Sequence, residues 1–298
     1  MKFTFILTTL SLSAICLSLA LSPKKAVKKG TKALNDFCGY IPSGKVEINS
    51  DTISVQAFYM SKTEITNHQY KEFLADLLRK GEISKFEKAK IDSIRWNEFV
   101  PAGNSYSKYY HSHPAYDLYP VVNISKEGAE LFCDWLSAKY DSLFEDTHSL
   151  KFRVPTRAEW LKAANGESLS KLYSWGGPLT RNAKGALLAN FLRVGAENVT
   201  RNESTGQLEV VTPIVLPGIA NSEADVLAPA TSYFPNDFGI FNLNGNASEM
   251  ISDGDFAVGG DWKSPGYDIR NISIKPTSGP SPVTGFRVVA TYIAPKNI

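Results

Sequence analysis

Residues 235 to 264 read PNDFGIFNLNGNASEMISDGDFAVGGDWKS, the densest concentration of turn chemistry in the chain. Pro235-Asn236-Asp237, the run Asn244-Gly245-Asn246 and the pair Gly259-Gly260 are residues that open tight turns or tolerate positive φ. Phe238 and Phe241 sit between them. Such a stretch excludes long helices and predicts a backbone folded closely on itself, with its own carbonyl oxygens turned inward.

Upstream, helices are announced by their start signals. Thr66-x-x-Gln69 is a capping box, and Tyr70, Phe73, Leu74 and Leu77 follow at helical spacing. Ser125 is an N-cap for a second helix whose apolar stripe is Ala129, Phe132, Cys133 and Leu136, with Trp135 beside it. Thr156-Arg157-Ala158-Glu159 is another capping box, and Gly166 stops the helix it opens. Between the first two helices a further short one is expected at 83–92, then an aromatic loop at 104–114 and a short strand at 120–123. Two short strands are expected after Tyr40, with Ile53, Val55 and Phe58 marking the second. A buried strand at 285–291 is expected to lie beside them. Glu64 reads as a charge tied to a backbone N–H or a basic residue. His111 and His113, with Asp117 nearby, have the spacing of a metal pair, but a lone His-x-His more often shapes a loop, and no metal is assigned there.

With 298 residues, 43% of them hydrophobic, the chain can bury one large core or two modest ones. A net charge of +2 gives no support to nucleic-acid binding. Residues 1–22 carry an apolar run, FTFILTTLSLSAICLSLAL at 3–21, expected to be a secretory signal peptide cleaved around 20–22. The alternatives are an uncleaved anchor, which the lysines just after it would orient with a cytoplasmic body, and lipidation at Cys16. Residues 23–37 read as a lysine-rich tether, and a folded domain is expected over 38–298. Of the remaining cysteines, Cys38 and Cys133 could pair, or Cys133 could be a small buried hydrophobe. Asn198 and Asn202 begin sequons that matter only in a glycosylating source.

The run GIFNLNGNASEM at 239–250, VGGDWKS at 258–264 and TGFRVVA at 284–290 resemble the formylglycine-generating enzyme, or sulfatase-modifying factor, family. FYMSKTEITNHQYKEF at 58–73, YPVVNIS at 119–125 and FRVPTRAEW at 152–160 agree with it in the same order, so the resemblance covers roughly residues 39 to 293. It implies an α+β, C-type-lectin-like fold with few helices, short twisted strands, long loops and structural calcium. The calcium ligands it implies are Asn242, Gly245, Ala247 and Glu249. This all-oxygen set with a single charge suits a hard cation. A first site would begin at Asn190 and Phe191, but its other ligands should lie near Ser222 to Asp225, beyond an insertion at about 194–224 that holds a hairpin at 208–215. Catalytic members bind copper through two cysteines after the Gly-Gly pair. Here Ser264 stands at the first of those positions, 265–269 supplies no second, and no copper is expected.

The resemblance therefore implies a non-catalytic, exported protein, periplasmic or associated with the outer membrane or cell surface. His113-Pro114-Ala115-Tyr116 before Tyr119-Pro120-Val121-Val122-Asn123 is most similar to the gliding-motility and type IX secretion lipoproteins of the family, whose partners are other envelope proteins. Two alternatives stand beside this reading. One is an oxidase that matures sulfatases. The other is a carbohydrate- or peptide-binding module whose groove is flanked by Trp262, Ser264, Tyr267 and Trp175. Trp262 could equally be core.

Overall fold

The computed structural model of the chain describes residues 23–99, 103–144, 150–193, 199–202, 204–206, 208–210 and 226–292. Helix α1 (Pro23–Phe37) leads into four short strands, β1 (Cys38–Ile41), β2 (Gly44–Ile48), β3 (Asp51–Val55) and β4 (Phe58–Ser61). Helices α2 (Asn67–Arg79), α3 (Ile83–Ala89), α4 (Trp96–Phe99), α5 (Gly103–Tyr109) and α6 (Lys126–Phe144) follow, then β5 (Leu150–Arg153) and α7 (Arg157–Asn165). The rest is strand and loop: β6 (Val199–Arg201), β7 (Leu208–Val210), β8 (Ser248–Met250), β9 (Phe256–Val258), β10 (Ile274–Pro276), β11 (Thr284–Gly285) and β12 (Val289–Tyr292). This is the α+β architecture of short strands and long connections that the sequence predicts.

Two four-stranded sheets organise the chain. One has the order β1-β4-β12-β5 and is antiparallel throughout; the other has the order β10-β9-β8-β11, with β8 and β11 parallel. The first sheet is apolar on both faces, because neighbouring side chains along a strand point to opposite sides. Leu150, Phe152, Val288 and Ala290 pack against α2 and α6, while Phe58, Met60 and Val289 pack against α7 and β2. Phe132 of α6 sits at the heart of the first cluster, with the rings of Tyr70, Phe73, Trp135 and Phe286 at 5.4 to 5.8 Å from it.

The capping boxes form as expected. The Thr66 and Thr156 side chains accept the N–H groups of Gln69 and Glu159, whose side chains accept in return. Ser125 accepts from the Gly128 N–H at 3.0 Å. Each such cap stabilises its helix by about 1 kcal/mol.

Three local expectations are corrected. Residues 23–37 form α1 instead of an aperiodic tether: Leu34 is buried, Ala33 and Phe37 pack beside it, and Gly30 lies against Phe144 and Tyr140 of α6. Within the expected loop at 104–114, α5 forms because Tyr106 and Tyr110 share a face and close on the Trp96 ring at 5.1 and 4.9 Å. Residues 120–123 make only an isolated bridge, Thr66 to Pro120, and Asn123 turns away at φ 59°. Of the hairpin expected at 208–215, the described part is β7, which pairs antiparallel with β6, Val199 against Val210. The signal run with Cys16, Asn198, residues 211–215 and Ser222 to Asp225 lie outside the described residues. Cys38 and Cys133 are both buried and both free thiols.

Candidate functional site

The quoted stretch folds as its turn chemistry demands. Asn242, Gly245 and Asn246 all take positive φ, at 52°, 76° and 61°, and they roll the loop into a closed turn before β8. The Gly245 N–H donates to Gly259 O at 2.8 Å, and the Asn246 N–H donates to Asn190 O at 2.7 Å. A Cβ on Gly245 would stand 2.3 Å from Asn190 O, and one on Gly259 would stand 2.4 Å from Leu243 O. Glycine is required at both positions because three loops meet there backbone to backbone.

Inside this junction runs a buried polar chain. Asn190 Nδ2 donates to Asn246 Oδ1 at 3.2 Å and to Val226 O at 2.8 Å. Asn246 Nδ2 donates to Glu64 Oε1 at 2.8 Å, and Asn242 Nδ2 donates to Glu64 Oε2 at 3.3 Å and Ala230 O at 3.2 Å. The acceptors on the Nδ2 side fix which way each amide points. Consequently the Oδ1 atoms of Asn190 and Asn242 are buried without a hydrogen-bond partner. Orphaned buried oxygens of this kind are costly and call for a ligand.

Two buried carboxylates complete the site. Glu249 is held bidentately by Arg287, at 2.5 Å through Nη2 and 2.6 Å through Nε, and it accepts the Trp160 indole N–H at 2.6 Å. Glu64 forms no ion pair among the described residues, since Arg287 is committed to Glu249. Burial pushes its pKa up to about 8, with the charge of Arg287 opposing and that of Glu249 reinforcing the shift. Neither a backbone N–H from elsewhere nor a basic side chain is its principal partner; two asparagine amides are.

The oxygens gathered here are of the kind a hard cation takes, although both Glu249 oxygens are already met by Arg287 and Trp160. Asn242, Gly245, Ala247 and Glu249 lie on one turn and the strand it opens, Asn190 is one hydrogen bond from that turn, and two amide oxygens are unspent. Phe191 next to Asn190 is buried with Tyr173, Leu187 and Ile269.

The residues expected to flank a groove divide into two groups. Trp262 is wholly buried, its indole N–H on Pro282 O at 3.3 Å, in a cluster with Trp96, Tyr110 and Val226; it is core and presents no stacking face. Trp175 stacks on Tyr173 at 4.6 Å, and Tyr173 donates to Gly266 O at 2.8 Å, which brings Trp175 to the segment holding Ser264 and Tyr267. Tyr267 is exposed, with the Arg270 guanidinium 3.3 Å above its ring. Ser264 is nearly buried, its Oγ accepting the Asp261 N–H at 3.1 Å.

Sequence reasoning missed a cleft of about 610 Å³ whose walls include Tyr116, Tyr119, Leu187, Ala228, Tyr233 and Phe234. One wall is pinned by the polar chain, because Asn190 holds Val226 O and Asn246 accepts the Ala228 N–H at 2.8 Å. The aromatic run at 106–119 was its one sequence signal.

His111 and His113 do not converge. The buried His111 ring has Nδ1 at 2.9 Å from Asn67 Oδ1 and Nε2 at 3.5 Å from Asn123 Nδ2, while the His113 ring accepts the Ala115 N–H. Asp117 pairs with Lys71 at 2.5 Å.

A sequence-family profile described as the sulfatase-modifying factor enzyme 1-like domain matches residues 25–292. The formylglycine-generating enzyme of Bos taurus is 25% identical over 222 residues, 67% of this chain and 50% of that protein. That of Streptomyces coelicolor is 28% identical over 158 residues, 53% of this chain and 37% of its own length. The chain thus spans about half, or less, of the curated relatives it matches. The crystal structure of CarF superposes with a TM-score of 0.53 at 18% identity, covering 85% of this chain and 97% of that one, a likeness of fold.

Proposed function

The chain belongs to the sulfatase-modifying factor enzyme 1-like family, and from that premise we propose that it is a non-catalytic, calcium-clamped binding component of a cell-envelope assembly of the gliding-motility or type IX secretion kind. One observation carries the reading: its thiols are in the wrong place for the oxidase chemistry. At the first position where the resemblance expects a copper-binding cysteine the chain has Ser264, and residues 265–269 supply no second one. A serine hydroxyl stays protonated at neutral pH and is a hard donor, so it does not replace a thiolate on Cu(I). Cys38 and Cys133 lie in the apolar cluster around Phe132, where burial pushes both thiols far up from their ordinary range and away from the thiolate.

Calcium in this reading is held by the Asn242 amide oxygen, the Gly245 and Ala247 carbonyls and Glu249, with Asn190 and Phe191 beginning the other, first site. A bound ion would cross-link loops that no long helix or strand joins. The unpartnered Oδ1 atoms of Asn190 and Asn242 support this. The aromatic cleft beside Ala228 favours a carbohydrate or peptide as the second reading of what is bound.

The test pairs an activity assay with metal analysis. The purified chain, supplied with Cu(I), oxygen and a sulfatase-type cysteine peptide, is expected to yield no formylglycine and to retain calcium but not copper. Formylglycine formed above the protein-free rate overturns the non-catalytic reading.

A further inference from the structure

Glu64 lies 178 residues before Asn242 in the chain, yet it touches both asparagines that decide how the turn's amides face. We propose that Glu64 is a positioning residue for both candidate calcium sites, a single carboxylate that turns the unpartnered oxygens of Asn242 and Asn190 away from the hydrogen-bonded chain and leaves them free for a cation; this rests on the calcium reading above. The argument is one of donors and acceptors. Both Glu64 oxygens take an asparagine N–H, at 2.8 and 3.3 Å, the pattern of the ionised carboxylate, and in that form each neighbouring amide presents Nδ2 to it. Asn242 does so directly, and its Oδ1 is left free. Asn246 does so at Oε1, and its own Oδ1 then faces the Ala228 N–H and Asn190 Nδ2. Asn190 in consequence keeps its Oδ1 free. Reverse the acceptor at Glu64 and the order of the chain reverses with it.

Glutamine at this position is nearly isosteric but offers one acceptor and one donor, so one of the two amides must turn over. Asn246 is the more tightly held, by two donors on Oδ1 and by Glu64 and Ala228 O on Nδ2, whereas the Nδ2 contacts of Asn242 are 3.2 to 3.5 Å long. Asn242 therefore turns, and its site presents an N–H to the cation.

The experiment compares the full chain, E64Q and the exchange variant E64Q/N242D, each stripped with EDTA and then titrated with calcium chloride, reading calcium affinity by calorimetry and the calcium-dependent rise in Tm. The exchange variant restores an oxygen to the cation site, because the carboxylate it introduces accepts from the new amide through one oxygen and leaves the other free. E64Q is expected to lose 10- to 100-fold in affinity at one site, the usual cost of removing an outer partner of a metal ligand, and the exchange variant to regain most of it. A purely structural role would lower Tm equally with and without calcium. If the unaltered chain gains no stability from calcium, the calcium reading falls and this inference with it. If the chain binds calcium and E64Q keeps the full affinity and Tm increment, Glu64 is not a positioning residue. Should E64Q alone not fold, the exchange variant decides: weak calcium binding by it overturns the proposal, and affinity near that of the unaltered chain supports it.

Discussion

Arg287 grips Glu249 with two nitrogens, at 2.5 and 2.6 Å, where neither side chain reaches solvent. Its guanidinium also donates to Ser61 O and Phe241 O, so one side chain ties β8 to the end of β4 and to the turn before Asn242. Arg287→Met would leave an uncompensated buried carboxylate and two unmet carbonyls. It is expected to cost about 3–5 kcal/mol, measured as a fall in the urea midpoint, and Arg287→Lys to cost less because the charge remains. A midpoint shift for Arg287→Met as small as that of an exposed arginine such as Arg79 would show the pair to be unimportant.

Gly245→Ala is a sharper test of the loop junction. Both Gly245 and Gly185 have strongly positive φ, 76° and 82°, but a Cβ on Gly185 meets nothing within 4 Å while one on Gly245 meets Asn190 O. Gly185→Ala is expected to cost about 1–2 kcal/mol, the left-handed backbone penalty alone, and Gly245→Ala distinctly more. Equal costs by chemical denaturation would mean that the approach of the Asn190 loop is unimportant.

Acid should destabilise the chain through His111. Burial first, and the charge of Lys71 second, lower its pKa to about 3, against roughly 6.5 in an unfolded chain. With Asn67 Nδ2 donating to Tyr110 O and Tyr116 O, Asn67 Oδ1 accepts from the ring at Nδ1, and the neutral imidazole is the form that fits. Between these two values the unfolded chain binds the extra proton. This contribution is therefore complete above about pH 6.5 and is lost as pH falls towards 3, at up to about 1.4 kcal/mol per pH unit. In His111→Gln the slope of stability against pH between 4 and 6 should flatten; an unchanged slope would refute the assignment.

The two core thiols should be silent in the native state. Cys38 and Cys133 are buried and held protonated by their surroundings, so alkylation mapped by mass spectrometry should reach them only when the core opens. Labelling should rise steeply across the urea transition. Rapid modification in native buffer would place at least one of them at the surface.

What could be read from the residues alone was local. The capping boxes at Thr66 and Thr156 form because a cap needs only residues three apart. Gly245 and Asn246 of the Asn-Gly-Asn turn and both glycines of the Gly-Gly pair take positive φ because these residue types permit it. Helix α1 escaped notice because its lysines mask a short apolar stripe, and α5 because tyrosines in a polar setting resemble a loop until Trp96 covers two of them, Tyr106 and Tyr110. The core position of Trp262 was equally beyond reach, since a large aromatic next to a turn suits both an interior and a groove.

The sequence by itself determined the turn-rich architecture, the starts of the principal helices and the motifs of the family, all properties of residues within a few positions of one another. Tertiary structure alone decided that Glu64 faces Asn242 and Asn246, that Arg287 is spent on Glu249, and that two asparagine oxygens are left buried and unpartnered. The reason is physical. A charge in a sequence carries no mark of its partner, and only packing the loops against one another fixes which donors and acceptors share a space without water.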